Sequence, residues 1–425
     1  MIILQVYNRS FPSEDYFKRN MLGLEPDSSW SNLGGLKWDL VLCYAVAWAI
    51  VSLSLIKGVQ SSGKVVYFTA LFPYLVLVIL LIRGVTLDGA YEGILFYIYP
   101  TAEQISKLKN IEVWSAAATQ IFYSLCTSMG GLLTMASYNR FNNNCYRDAI
   151  LIAFINCATS IFAGFVVFSI IGFMAKQAAL PIEDVIKGGS GLVFIAYPEA
   201  VTQMPVPQFW SILFFSMIIT LGLDSMFTLT ETITTAIMDQ FPMLRHHKGK
   251  VAVCSGLTGF LLGLTMCTKG GIFMFELIDY YSARWSLLIC GITEVIIIVY
   301  VYGHKNIFVN IQEMEINLPK AMKYYFLTTW KVLTPLSLLF VLLISFMDYT
   351  HPTPQLAVQC LGWAMSLVPV VFLIIGAPLE YYKRKSEGKS TDMLSLLSPS
   401  DEWGPSFVKN GVKKPAGQPE LVELL

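Results

Sequence analysis

The chain has 425 residues, with 29 Lys and Arg against 29 Asp and Glu, 55% hydrophobic residues and only 14% charged ones. Its mean hydropathy is +0.58, whereas soluble domains carry about 25% charged residues, so the chain lacks the polar surface of a water-soluble enzyme. Zero net charge argues against nucleic acid as a partner, and the four histidines, His246, His247, His304 and His351, show no metal-ligand spacing.

Residues 1–37 open the chain as a polar segment. Arg9, Lys18, Arg19 and Lys37 are balanced there by Glu14, Asp15, Glu25 and Asp27. The segment holds no apolar run resembling a cleavable signal. Asn8-Arg9-Ser10 is a glycosylation sequon, which suits an extracellular loop. Nine apolar runs follow, at about 38–56, 65–87, 113–136, 149–175, 209–237, 251–268, 285–303, 327–347 and 356–380. A helix of about 20 apolar residues crosses the roughly 30 Å of hydrocarbon, and helices satisfy their backbone groups internally. The runs lack the alternating ten-residue pattern of a membrane β-barrel. These features predict an all-α polytopic membrane protein with a transmembrane core over 38–382. Residues 383–425 are polar, carry Pro399, Pro405, Pro415 and Pro419, and read as a mostly disordered tail.

Basic residues in the connections set the orientation. With the segment after the first run placed in the cytoplasm, the inside connections hold Lys57, Lys64, Arg140, Arg147, Arg245, Lys248, Lys250, Lys305, Lys320, Lys323 and Lys331. The tail adds Lys383, Arg384, Lys385, Lys389, Lys409, Lys413 and Lys414, against only Arg83, Lys107, Lys109, Lys176, Lys187, Lys269 and Arg284 outside. The C-terminus is therefore expected in the cytoplasm and residues 1–37 outside. Nothing visible in 1–37 carries that segment across a membrane, so further helices are expected upstream. The eight cysteines lie mostly in or beside the runs with no CxxC pattern, and they read as small packing residues rather than a disulfide framework.

Polar residues inside the runs mark candidate function, because they cost energy to keep in lipid. In the third run, Cys126-Thr127-Ser128-Met129-Gly130-Gly131 follows Gln120-Ile121-Phe122-Tyr123-Ser124. Two readings stand: local unwinding that frees carbonyls and amides for an ion or zwitterion, or close helix packing through small residues. Asn156 and Ser160 lie one turn apart in the fourth run, which fits an interhelical hydrogen bond or an ion ligand. Leu221-Gly222-Leu223-Asp224-Ser225 puts a carboxylate in mid-run. It suits a hard cation such as Na⁺, or a structural aspartate bonded to hydroxyls. Glu231 and Glu294 read as structural. The outer connection 176–208 is long enough to be a lid. It shows a short acidic helix start at Leu180-Pro181-Ile182-Glu183-Asp184 and a break at Gly188-Gly189-Ser190-Gly191.

These segments carry a family resemblance. Gln120 to Ser124, Ala136 to Asp148, Asn156 to Ser160, Ala196-Tyr197-Pro198-Glu199-Ala200 and Leu221 to Ser225 resemble the core of the sodium- and chloride-dependent neurotransmitter and amino-acid symporters, the solute carrier 6 family. The resemblance runs from about residue 33 to about 385. It implies an inverted-repeat transporter fold of twelve helices, of which the nine runs resemble helices 4–12. It implies sodium ligands at Ser124 and Asn156 for one site, and at Leu221 (through its carbonyl), Asp224 and Ser225 for another. A chloride site is implied at Gln120, Ser124, Asn156 and Ser160. Ser160 stands where chloride-independent relatives carry a carboxylate, so an imported anion would balance the sodium charge. Tyr123, Cys126, Thr127, Ser128 and Met129, with Ser225, Met226 and Leu229, are implied to line the substrate pocket, and Asp279 is implied as the acidic half of an outer gate.

The sequence thus predicts a Na⁺/Cl⁻-coupled symporter rather than an enzyme, with no cofactor beyond its coupling ions, embedded as a multi-pass protein in the plasma membrane. An amino acid of the glycine or neutral/basic type is the expected substrate, with GABA, monoamine and creatine or taurine types as alternatives. Because helices 1–3 of the family pattern are absent, the chain is expected to be N-terminally truncated and inactive alone. A competing expectation is a non-transporting isoform that associates with a full-length transporter; a homo-oligomer is also open.

Overall fold

The structure, a computed structural model, describes residues 12–56, 59–185, 192–282, 285–347 and 355–388, together with positions 349, 392, 396, 397 and 399. The sequon Asn8, the Gly188–Gly191 break and nearly all of the tail lie outside these residues. Among the described residues there is helix and no strand, only isolated bridges such as Leu36 to Thr268. Eight helices are long and apolar enough to cross a membrane, against nine apolar runs in the sequence. The difference is the third run, which is not one helix. The chain divides into two units, one of residues 1–110 and 155–277, the other of 111–154 and 278–425.

In the first unit, α1 (Trp38–Ile56) and α2 (Val59–Val85) are followed by α3 (Ala90–Ile98). The core is built where α2 meets the part of α6 (Cys145–Ala178) that belongs to this unit, and where both meet α8 (Pro207–Gln240). Val76 and Leu80, Val166, Ile170 and Ile171, and Phe214 and Met217 pack there as one buried cluster with Tyr197 and Ala200 of α7 (Tyr197–Thr202). A second cluster joins Val51 and Leu55 of α1, Phe227 of α8 and Ala252 of α9 (Lys248–Gly263). Between helices in lipid, such contacts hold by close packing rather than by escape from water.

Connections of this unit are tied by backbone. Lys37 N donates to Cys267 O at 2.9 Å and Gly270 N to Leu33 O at 2.8 Å, and Lys269 pairs with Glu25. Phe17 stacks on Phe194 with ring centres 5.3 Å apart. Of the helix start expected at 180–185, Ile182–Val185 is helical.

The second unit holds α4 (Ile111–Ser124) and α5 (Gly131–Ser137), the far part of α10 (Gly271–Ser282), α11 (Ser286–Val295), α12 (Lys320–Met347) and α13 (Leu356–Ser386). Leu288 of α11 packs on Leu338 and Val341 of α12, with Phe122 of α4 and Ile292 against them. Trp285, 1% exposed, stacks on Trp363 at 4.6 Å, and Tyr281 meets Tyr349 hydroxyl to hydroxyl at 2.7 Å. π-helical turns at Ile296–Gly303 and Thr329–Leu333 interrupt two of the long helices; the apolar pattern alone does not distinguish them from α-helix.

Candidate ion and substrate site

The third apolar run leaves the helix after Ser124 and re-enters it at Gly131. The way out is a widening of the last turn: Leu125 N still donates to Ile121 O at 3.1 Å, but Thr127 N reaches back five residues to Phe122 O at 3.2 Å. Cys126 (φ 49°), Ser128 (φ 61°) and Gly130 (φ 79°) then adopt left-handed backbone. Two of the three are not glycine, and each such residue costs about 1–2 kcal/mol. Gly130 N-caps α5, with Thr134 N bonded to Gly130 O at 2.9 Å. The Ser128 hydroxyl is buried with no hydrogen-bond partner among the described residues. Gln120, Tyr123, Ser124 and Cys126 are exposed, and Thr127 and Met129 half-buried. Irregular backbone at membrane depth survives only where protein or a water-filled cavity receives it. Of the two readings of this stretch, the unwound backbone is the one that the structure contains.

The fifth run behaves differently. α8 passes through Leu221–Ser225 without a break, so the mid-run carboxylate sits in a continuous helix. Side-chain geometry explains the continuity. Ser225 Oγ donates back to Leu221 O at 3.3 Å and Thr228 Oγ1 to Asp224 O at 3.1 Å, so the hydroxyls bond within the helix rather than open it. One turn therefore presents a carboxylate, a hydroxyl and a backbone carbonyl, an all-oxygen set suited to a hard cation. Thr69 of α2, 5% exposed, donates its hydroxyl to Asp224 Oδ1. Met226 is half-buried and Leu229 exposed on the following turn.

Asn156 and Ser160 belong to the same unit, on α6. Ser160 Oγ donates to Asn156 O at 3.0 Å, again within the helix, and Tyr74 of α2 meets the neighbouring Thr159 at 2.8 Å. Gln120, Tyr123, Ser124 and Cys126–Met129 belong to the other unit, as does Asp279, which is exposed on α10. Glu231, 1% exposed, forms an ion pair with Lys248 at the start of α9, a structural use of that carboxylate. In the Ala196–Ala200 segment, Tyr197 stacks flat on Phe214 with ring centres 4.3 Å apart, and its burial pushes the phenol above its ordinary range.

Sequence reasoning missed Thr69 altogether. It sits in an uninterrupted apolar helix, where one hydroxyl gives no signal.

The architecture is that of a multi-pass helical membrane protein. The chain belongs to the sodium:neurotransmitter symporter family, whose profile matches residues 3–384. The sodium- and chloride-dependent glycine transporter 1 of Xenopus laevis is 42% identical over 413 residues, 95% of this chain and 64% of the relative. The human sodium- and chloride-dependent neutral and basic amino acid transporter B(0+) is 45% identical over 406 residues, 93% of this chain and 62% of the relative. Glycine transporter 2 of Xenopus laevis is 44% identical over 415 residues, covering 95% and 51%. The chain thus spans between about half and two thirds of the length of the curated relatives it matches. The family is one of transporters, and these relatives are named for their dependence on sodium and chloride.

Proposed function

We propose that the chain forms part of a Na⁺/Cl⁻-coupled amino-acid symporter of the plasma membrane, working by alternating access, with its C-terminus in the cytoplasm. The observation that carries this reading is the unwound stretch 125–130 inside an apolar run, with Cys126, Ser128 and Gly130 in left-handed backbone. Such discontinuous helices are where secondary transporters hold ions and substrate. Asp224, Ser225 and the Leu221 carbonyl hold one sodium ion; Ser124 and Asn156 contribute to a second. Gln120 and Ser160 join Ser124 and Asn156 in chloride coupling. Tyr123, Cys126, Thr127, Ser128 and Met129 with Ser225, Met226 and Leu229 face the substrate, and Asp279 serves the outer gate. Glycine or a neutral or basic amino acid is the substrate class, supported by the names of the similar relatives.

The test is uptake of labelled glycine, leucine and lysine by cells expressing the transporter of which this chain forms part, with sodium and chloride replaced in turn. Uptake should fall to background without either ion, and in Asp224→Asn at unchanged surface expression. Uptake that persists in choline, or that Asp224→Asn leaves intact, overturns the reading. Suppression of a co-expressed relative's uptake, with none contributed by this chain, would instead favour a non-transporting partner.

A further inference from the structure

We infer that Gly291 of α11 is a positioning residue for the unwound stretch, and that the room it leaves limits the size of substrate side chain accepted there. The size limit rests on the proposed symporter reading; the positioning role does not. Gly291 is buried in a helix interior, where glycine is less favourable than alanine, so a spatial reason for it is expected. That reason is close approach: a Cβ built on Gly291 falls 2.8 Å from Ser128 Oγ and 3.2 Å from Phe122 Cζ. Phe122 packs among Leu288, Ile292, Leu338 and Val341 and has little freedom to yield. Ser128 is the movable member, since its hydroxyl is buried with no hydrogen-bond partner among the described residues and only packing holds it. A methyl group at 291 therefore pushes Ser128 away from α11. Ser128 lies two residues beyond the exposed Cys126, and Met129 N donates to Cys126 O at 3.3 Å, so the shift is carried into the turn that holds Cys126, a residue of the proposed substrate lining. Ser128→Gly should cancel the effect, because it removes the hydroxyl and tolerates φ 61° without strain.

The experiment follows alkylation of Cys126 by site-resolved mass spectrometry on the purified protein, with the exposed Cys360 of the same unit as internal reference. Gly291→Ala should change the Cys126 to Cys360 rate ratio by at least about threefold, and Ser128→Gly/Gly291→Ala should return it to within about twofold of the starting value. An unchanged ratio in Gly291→Ala, or a change that Ser128→Gly does not reverse, overturns the positioning role. Protection of Cys126 by glycine, alanine and leucine in sodium chloride then tests the size limit. Gly291→Ala should lose protection by leucine first, and an unaltered ranking overturns the limit. If the ratio moves as expected but no amino acid protects Cys126 in any variant, the positioning role stands while the symporter reading falls, and the size limit with it.

Discussion

Thr69 on α2 donates its hydroxyl to the carboxylate of Asp224 on α8, a contact across 155 residues of chain. It gives one oxygen of a mid-span carboxylate a donor from a neighbouring helix. Removing that donor leaves a charged group under-satisfied, which costs about 1–3 kcal/mol. Thr69→Val should lower thermal stability in sodium-free detergent by that amount, and Thr69→Ser should restore most of it. Saturating sodium should narrow the gap, since an ion at Asp224 supplies the missing counter-charge. A gap that sodium leaves unchanged would remove Asp224 from the sodium site.

The left-handed residues of the unwound stretch make a prediction of the opposite sign. Cys126 at φ 49° carries a side chain where glycine is favoured. Cys126→Gly relieves about 1–2 kcal/mol of left-handed strain and adds about 0.5–1 kcal/mol of chain entropy to the unfolded state. The net expectation is a gain of roughly 0.5–1 kcal/mol in stability. Cys126→Val, β-branched and ill suited to positive φ, should lose stability. Thermal unfolding of the two variants side by side checks both signs.

The parts of this site that sequence reveals are those where a residue type conflicts with its surroundings. Gly130-Gly131 after a run of small residues conflicts with a long helix, and Asp224 conflicts with an apolar run; both were visible. The continuity of α8 was not, because Ser225 and Thr228 satisfy their hydroxyls within the helix, and sequence does not say whether a hydroxyl bonds inward or outward. Thr69 and Gly291 were invisible for another reason. Each is an ordinary small residue in its own helix, and its role exists only through a side chain on another helix. Glu231 read as structural, but its partner Lys248 lies 17 residues on, beyond a helix end, where no local spacing rule reaches.

The aromatic cluster of the second unit should dominate its stability. Trp285 is 1% exposed and contacts Trp363, Phe346 and Tyr349, while its indole N–H donates to Ser345 O at 3.3 Å. Trp285→Ala should cost about 3–5 kcal/mol through cavity formation. Tyr281→Phe deletes only the hydroxyl contact to Tyr349 and should cost about 1 kcal/mol. Detergent thermal melts of the two variants should separate clearly; equal losses would mean that the hydroxyl pair, not the stacked rings, is what matters there.

Glu231 and Lys248 test whether a buried ion pair stabilises or merely tolerates burial. Glu231 is almost fully buried and Lys248 about one-fifth exposed, so both groups have given up most of their hydration. Their attraction repays much of that loss only while both remain. Glu231→Gln or Lys248→Met alone takes the ion-pair partner from a largely buried charge and should cost about 3–5 kcal/mol. Replacing both, Glu231→Met with Lys248→Met, removes the two desolvation penalties together and should come close to the unmodified protein. The pattern to look for in thermal unfolding is therefore two strongly destabilised single variants and a recovered double variant. Additive losses in the double variant would show that Glu231 and Lys248 each hold the fold through other contacts, and that the pair is not the unit joining α8 to α9.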